Sequence, residues 1–101
     1  MHDYTAVLSP DPNAGGFSVT VPAMPGAITE GGTRDQALAA AAEVMSLWLE
    51  VAREHGDGPL EETPELIARQ VASVIEDRDA EGWDRTIELV QVLVPKKHPG
   101  A

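Results

Sequence analysis

The sequence contains no cysteine, so neither a disulfide framework nor a thiolate metal site is open to it. That fits a reducing compartment. Lysine is confined to Lys96 and Lys97, and 7 Lys plus Arg face 17 Asp plus Glu, for a formal charge of −10. So few cations disfavour direct nucleic-acid binding, because the phosphate backbone would be repelled. No stretch approaches the roughly 20 apolar residues of a membrane span, and no apolar run near the start resembles a signal peptide. A cytoplasmic chain without a membrane partner is the expectation. Its 101 residues suit one modest core. Residues 1–95 read as a single domain and 96–101 as a flexible tail.

The charge that is present is unevenly placed. Asp3 and Asp11 are the only acids before Glu30, while the other 15 and all five arginines lie between Glu30 and Glu88. The first part is therefore nearly neutral and the middle strongly acidic. Such a surface keeps a protein soluble, and it also steers a basic partner toward it.

Local patterns divide the chain clearly. Tyr4 to Ser9 alternates, with Tyr4, Ala6 and Leu8 on one face and Thr5, Val7 and Ser9 on the other, as in a strand. Pro10 ends it, and Asp11-Pro12-Asn13-Ala14-Gly15-Gly16 carries turn residues. Phe17 to Val21 alternates again, so the two runs predict an antiparallel hairpin. Pro22, Pro25 and Gly26 bend the chain before a short third strand over Ala27–Glu30. Thr33 with Gln36 is a capping-box pair, and a helix is expected from Arg34 to Glu54. Leu38, Ala41, Ala42, Met45, Trp48, Leu49 and Ala52 share its apolar face, and Gly56 supplies its stop. Thr63-Pro64 opens a second helix to about Asp79. Thr86 to Val94 reads as the last strand. It is apolar on both faces, which predicts a place inside the sheet.

Connection rules then predict an α+β fold of order β-β-β-α-(α)-β. The sheet is expected to be mixed, with spatial order 3-2-1-4 and helix packed on one face. The last strand would return parallel to the first through a right-handed crossover. An open edge or an uncovered face of such a sheet asks for a partner, and small size favours a homo-oligomer, most simply a two-fold dimer.

Several consecutive segments carry a resemblance. Tyr4-Thr5-Ala6-Val7-Leu8, Gly16-Phe17-Ser18-Val19, Val21-Pro22-Ala23-Met24-Pro25-Gly26, Thr29-Glu30-Gly31-Gly32-Thr33 and Gln36-Ala37-Leu38, with the helix to Leu49-Glu50, resemble the HicB-type antitoxins of bacterial type II toxin–antitoxin systems. Val90-Gln91-Val92-Leu93-Val94-Pro95 is similar to that family's final strand. The resemblance implies a partial ribonuclease-H-like fold. It also implies a partner: a small basic HicA-type toxin that cleaves mRNA with a histidine and is silenced when bound. Many members add a C-terminal helix-turn-helix or ribbon-helix-helix module, and the residues after Pro95 here do not match one. A single-domain member without a DNA-binding module is the expectation.

Catalytic motifs are weak by comparison. Metal-dependent nuclease chemistry needs carboxylates converging on the middle of the first strand. Asp3 and Asp11 instead flank that strand, roughly 25 Å apart at extended spacing. His2, His55 and His98 show no metal-ligand spacing, and neither Gly15-Gly16 nor Gly31-Gly32 belongs to a phosphate loop. Asp77-Arg78-Asp79-Ala80-Glu81-Gly82 resembles the start of a calcium loop but lacks the flanking helices. No cofactor, metal or catalytic residue is expected. The densest acidic run offers a docking surface instead, and Glu76, Asp77, Asp79, Glu81, Trp83 and Asp84 are the candidate partner-binding residues. Antitoxin is the first reading of the chain. An orphan oligomeric scaffold or small-ligand module is the second, and a degenerate nuclease the third.

Overall fold

The structure, a computed structural model, describes residues 2–94; the tail expected over 96–101 lies outside them. Strands β1 (His2–Pro10), β2 (Phe17–Thr20) and β3 (Ile28–Gly31) precede helices α1 (Arg34–Glu54) and α2 (Pro64–Ala80), and β4 (Glu88–Val94) follows. The sheet order is β3-β2-β1-β4, the expected order in an α+β fold.

The sheet is fully antiparallel rather than mixed. Val7 of β1 pairs with Thr20 of β2 and with Leu89 of β4, antiparallel in both ladders. The expected parallel return fails because the second helix, foreseen in the sequence, turns the chain back once more instead of forming one crossover with the first. Each helix reverses the chain direction, so β4 runs opposite to β1. Nor does β4 lie inside the sheet. It is an edge strand, and its two apolar faces meet different surroundings. Val92 and Val94 are buried, whereas Leu89 and Leu93 are 51% and 50% exposed.

Local chemistry explains the turns and caps. The Asp11 carboxylate accepts from the Asn13 and Ala14 amides at 2.8 and 2.9 Å, an Asx turn. Gly15 and Gly16 follow at φ 77° and 79°, where only glycine is unstrained. The Thr33 hydroxyl accepts from the Gln36 amide at 3.1 Å, and Thr63 does the same for Leu66 at 3.1 Å. Both N-caps fall where the sequence places them.

Helix α1 covers one face of the sheet. Ala37, Ala41 and Met45 pack on Ala6 and Leu8 of β1, Val19 of β2, and Val92 and Val94 of β4. Small residues early in α1 let the backbones meet. A Cβ on Gly31 would stand 2.3 Å from the Ala37 amide nitrogen, so β3 and the first turn of α1 touch directly. Further along, Met45 is fully buried and Trp48 packs at the edge of the core, its indole donating to the Pro25 carbonyl at 3.0 Å. The opposite face belongs to α2, which packs over β1 and the polar side of β2. Thr20 thus lies half-buried under a helix, while Ser18 stays exposed at its margin.

Candidate functional site

The α2 face is built from polar groups. Thr5, Val7 and Ser9 of β1 and Ser18 and Thr20 of β2 point to it by strand alternation. Pairing stops short here: β2 meets β1 only from Val7 onward, which leaves the Thr5 amide without a strand partner on that side. The Glu62 carboxylate fills the position, accepting from Thr5 N at 2.9 and 3.0 Å. Gln70 of α2 donates to the Thr20 hydroxyl at 3.0 Å, and Gln91 of β4 donates to the Thr5 hydroxyl at 2.8 Å. Among the described residues no buried side-chain polar atom is left without a hydrogen-bond partner.

Arg78 is the keystone of this face. It is 2% exposed, and its guanidinium donates to the Ser9 hydroxyl at 2.7 Å, to the Asp84 carboxylate at 3.0 Å and to the Pro10 and Asp84 carbonyls. Trp83 lies against it, with the guanidinium carbon 5.4 Å from a ring centroid, within cation–π range. An arginine in the middle of an acidic run reads in sequence as a solvated charge. Its spacing gives the missed signal: Ile67, Val71, Val74 and Arg78 recur at helical intervals, so Arg78 continues the sheet-facing stripe of α2.

Beside Arg78, between α2 and the sheet, lies a cleft of about 480 Å³. Its floor is Val7, Ser9, Ser18 and Thr20, and its wall is Val74, Arg78, Ala80 and Trp83, with Asp77 and Glu81 bearing carboxylates. Of the six residues singled out from sequence, the structure therefore brings Asp77, Glu81 and Trp83 together at one cleft. Asp84 and Asp79 hold the loop instead. Asp84 pairs with Arg78, and its carboxyl sits below the ordinary aspartate range, chiefly through hydrogen bonds from Thr86 and then from Arg78. Asp79 is paired with Arg85 at 2.8 Å, and the hydrogen bond from that arginine lowers its carboxyl likewise. Glu76 is exposed and does not line the cleft.

Other candidates separate. The helix runs on to Ala80, so Asp77 and Asp79 lie on α2 rather than in a calcium loop. Asp11 is occupied in its turn, at the far end of β1 from Asp3. Among the described residues no group of three or more His, Cys, Asp or Glu side chains could hold a metal ion. No described helix is long and apolar enough to cross a membrane.

The sheet thus has one dry face under α1 and one polar face under α2, where a cleft carries the Asp77 and Glu81 carboxylates. Residues 4–97 match the family described as the HicB-like antitoxin of bacterial toxin–antitoxin systems. The chain belongs to that family. No curated protein matches it significantly.

Proposed function

We propose that the chain neutralises a small basic HicA-type mRNA-cleaving toxin in the cytoplasm, by binding alone and with no chemistry of its own. Family membership supports a toxin partner in general terms. The observation that carries the finer reading is the cleft on the α2 face, where Asp77 and Glu81 stand beside the Trp83 ring. A lysine or arginine side chain of the toxin fits this chemistry, since carboxylates complement its charge and an indole packs on its stem. Arg78 is already matched by Asp84, so its own charge does not cancel the attraction. Self-association of the antitoxin is part of this reading.

The test mixes the purified chain with a purified small basic HicA-type toxin and measures RNA cleavage. Asp77→Lys with Glu81→Lys reverses the two rim charges without touching Arg78. Inhibition by the native chain and its loss in the variant is the expected result, with affinity falling as salt rises. Equal inhibition by both chains would remove the cleft from the interface. A second reading, a small-ligand module, draws on the cleft volume, which lies within the range of small-molecule sites.

A further inference from the structure

The two edges of the sheet differ. β3 is four residues long, carries Glu30, and ends at Gly31 against α1. Short, charged and covered edges resist pairing with another chain. β4 is seven residues long and pairs with β1 in unbroken register from Glu88↔Leu8 to Val94↔His2. It has no bulge, no proline and no charge after Glu88.

Backbone direction shows what this edge offers. The Thr5 amide points away from β4, toward Glu62. Backbone groups alternate sides along a strand, so Tyr4, Ala6 and Leu8 are the β1 residues bonded to β4, through their partners Val92, Val90 and Glu88. The N–H and C=O groups of Leu89, Gln91 and Leu93 therefore point outward. The side chains of the same two leucines are half exposed on the sheet face that α2 leaves open.

The sequence of this edge is a palindrome: Leu89-Val90-Gln91-Val92-Leu93 reads the same in both directions. We infer that β4 is a two-fold interface with a second copy of this chain, paired antiparallel about Gln91, so that two four-stranded sheets form one continuous sheet. In this register Gln91 meets the partner's Gln91, and Leu89 meets the partner's Leu93. Each such pair can exchange both N–H···O bonds, which uses every outward group identified above. Leucine then packs on leucine on the open face, and valine on valine on the core face.

Charge selects the same occupant. Two copies of a chain of −10 repel over most of their surfaces, but this edge sets no like charges opposite each other. Glu88 is bonded to Arg34 of its own chain at 3.0 Å and would face Val94. On β4 itself a basic protein would meet only Glu88, already paired with Arg34, whereas a second copy finds its own complement. The interface deepens the self-association in the proposed function and rests on it.

The test measures the mass of the full chain in solution by sedimentation, at tens of micromolar. The native chain is expected as a two-copy species. Leu89→Lys with Leu93→Lys sets lysines opposite each other and should weaken association at least tenfold, with the circular dichroism melt retained because both positions are half exposed. Leu89→Lys with Leu93→Glu should restore the two-copy mass, because position 89 meets position 93 of the partner. Gln91→Pro is the second variant should the lysine pair misfold: it removes an outward amide, leaves the ladder to β1 intact, and should also yield a one-copy species. A one-copy native chain would overturn self-association and interface together. A two-copy native chain unaffected by the lysine pair or by the proline would overturn the β4 interface while self-association stands. Failure of the opposite-charge pair to recover would overturn the register.

Discussion

The two faces of this sheet are made from the same strands but do different work. On the α1 face, Ala6, Leu8, Val19, Ala37, Ala41 and Met45 exclude water almost completely. On the α2 face, the sheet contributes Thr5, Ser9, Ser18 and Thr20, and the contacts are hydrogen bonds to Glu62, Gln70, Arg78 and Gln91. Apolar burial is non-directional and scales with area, so the first face sets stability. Hydrogen-bonded polar groups add little net energy each but fix position, so the second face holds a shaped, acidic cleft in place.

The largest effect should come from the dry face. Leu8→Ala is expected to cost about 2–5 kcal/mol, the range for truncating a fully buried leucine, read from urea unfolding. Gly31→Ala should be comparably damaging, because its Cβ meets helix backbone that cannot swing aside; overpacking of this kind costs about 1–3 kcal/mol or more. If either change were neutral, the contrast between the faces would fail.

On the polar face, Arg78→Ala should cost less, about 1–3 kcal/mol. It strands the Ser9 hydroxyl and the Pro10 carbonyl, but the Asp84 carboxylate left behind is 70% exposed and stays hydrated. The same change should also loosen Trp83, seen as a red shift of its fluorescence. A loss as large as that of Leu8→Ala would mean that Arg78 is a core element equal to the apolar side.

The helix caps come next. Thr33→Ala and Thr63→Ala should each cost about 1 kcal/mol. Thr63→Ala should fray the α2 face, measurable as faster amide exchange at Leu66, with α1 unchanged.

The smallest effect is that of pH. Asp79, Asp84 and Glu88 all titrate below their ordinary range, held there mainly by hydrogen bonds from Arg85, from Thr86 and from Arg34 respectively. A carboxyl whose folded pKa is depressed stabilises the fold fully above its unfolded value, about 4, and loses that contribution as pH falls through the folded value. The melting temperature should therefore drop modestly below about pH 4, and Glu88→Gln should flatten that drop. All three groups are at the surface, where solvent screens the pairs, so a steep drop would contradict this picture.

Much of this arrangement is legible in the residues. The α1 limits follow from Thr33 and Gly56, which mark helix ends by capping chemistry independent of tertiary contacts. Strand order followed from the hairpin and from pairing the apolar last strand with the first. The direction of β4 did not, because the two helices were read as one crossover although each reverses the chain. Apolar residues on both sides of β4 read as an interior strand, although an edge that awaits a partner has the same composition. Arg78 was hidden for a related reason: charge suggests solvent, and only its place in the Ile67–Val71–Val74 stripe indicates burial. Within the acidic run, sequence did not separate Asp79 and Asp84, which hold the loop, from Asp77 and Glu81, which face the cleft. That distinction depends on which carboxylates meet an arginine after folding.

The measurement closest to the central claim is the RNA-cleavage assay of a small basic HicA-type toxin with an equimolar amount of this chain. Cleavage should stop with the native chain and persist when Asp77→Lys and Glu81→Lys are combined in a chain that melts normally. Cleavage unaffected by the native chain would contradict the antitoxin reading itself.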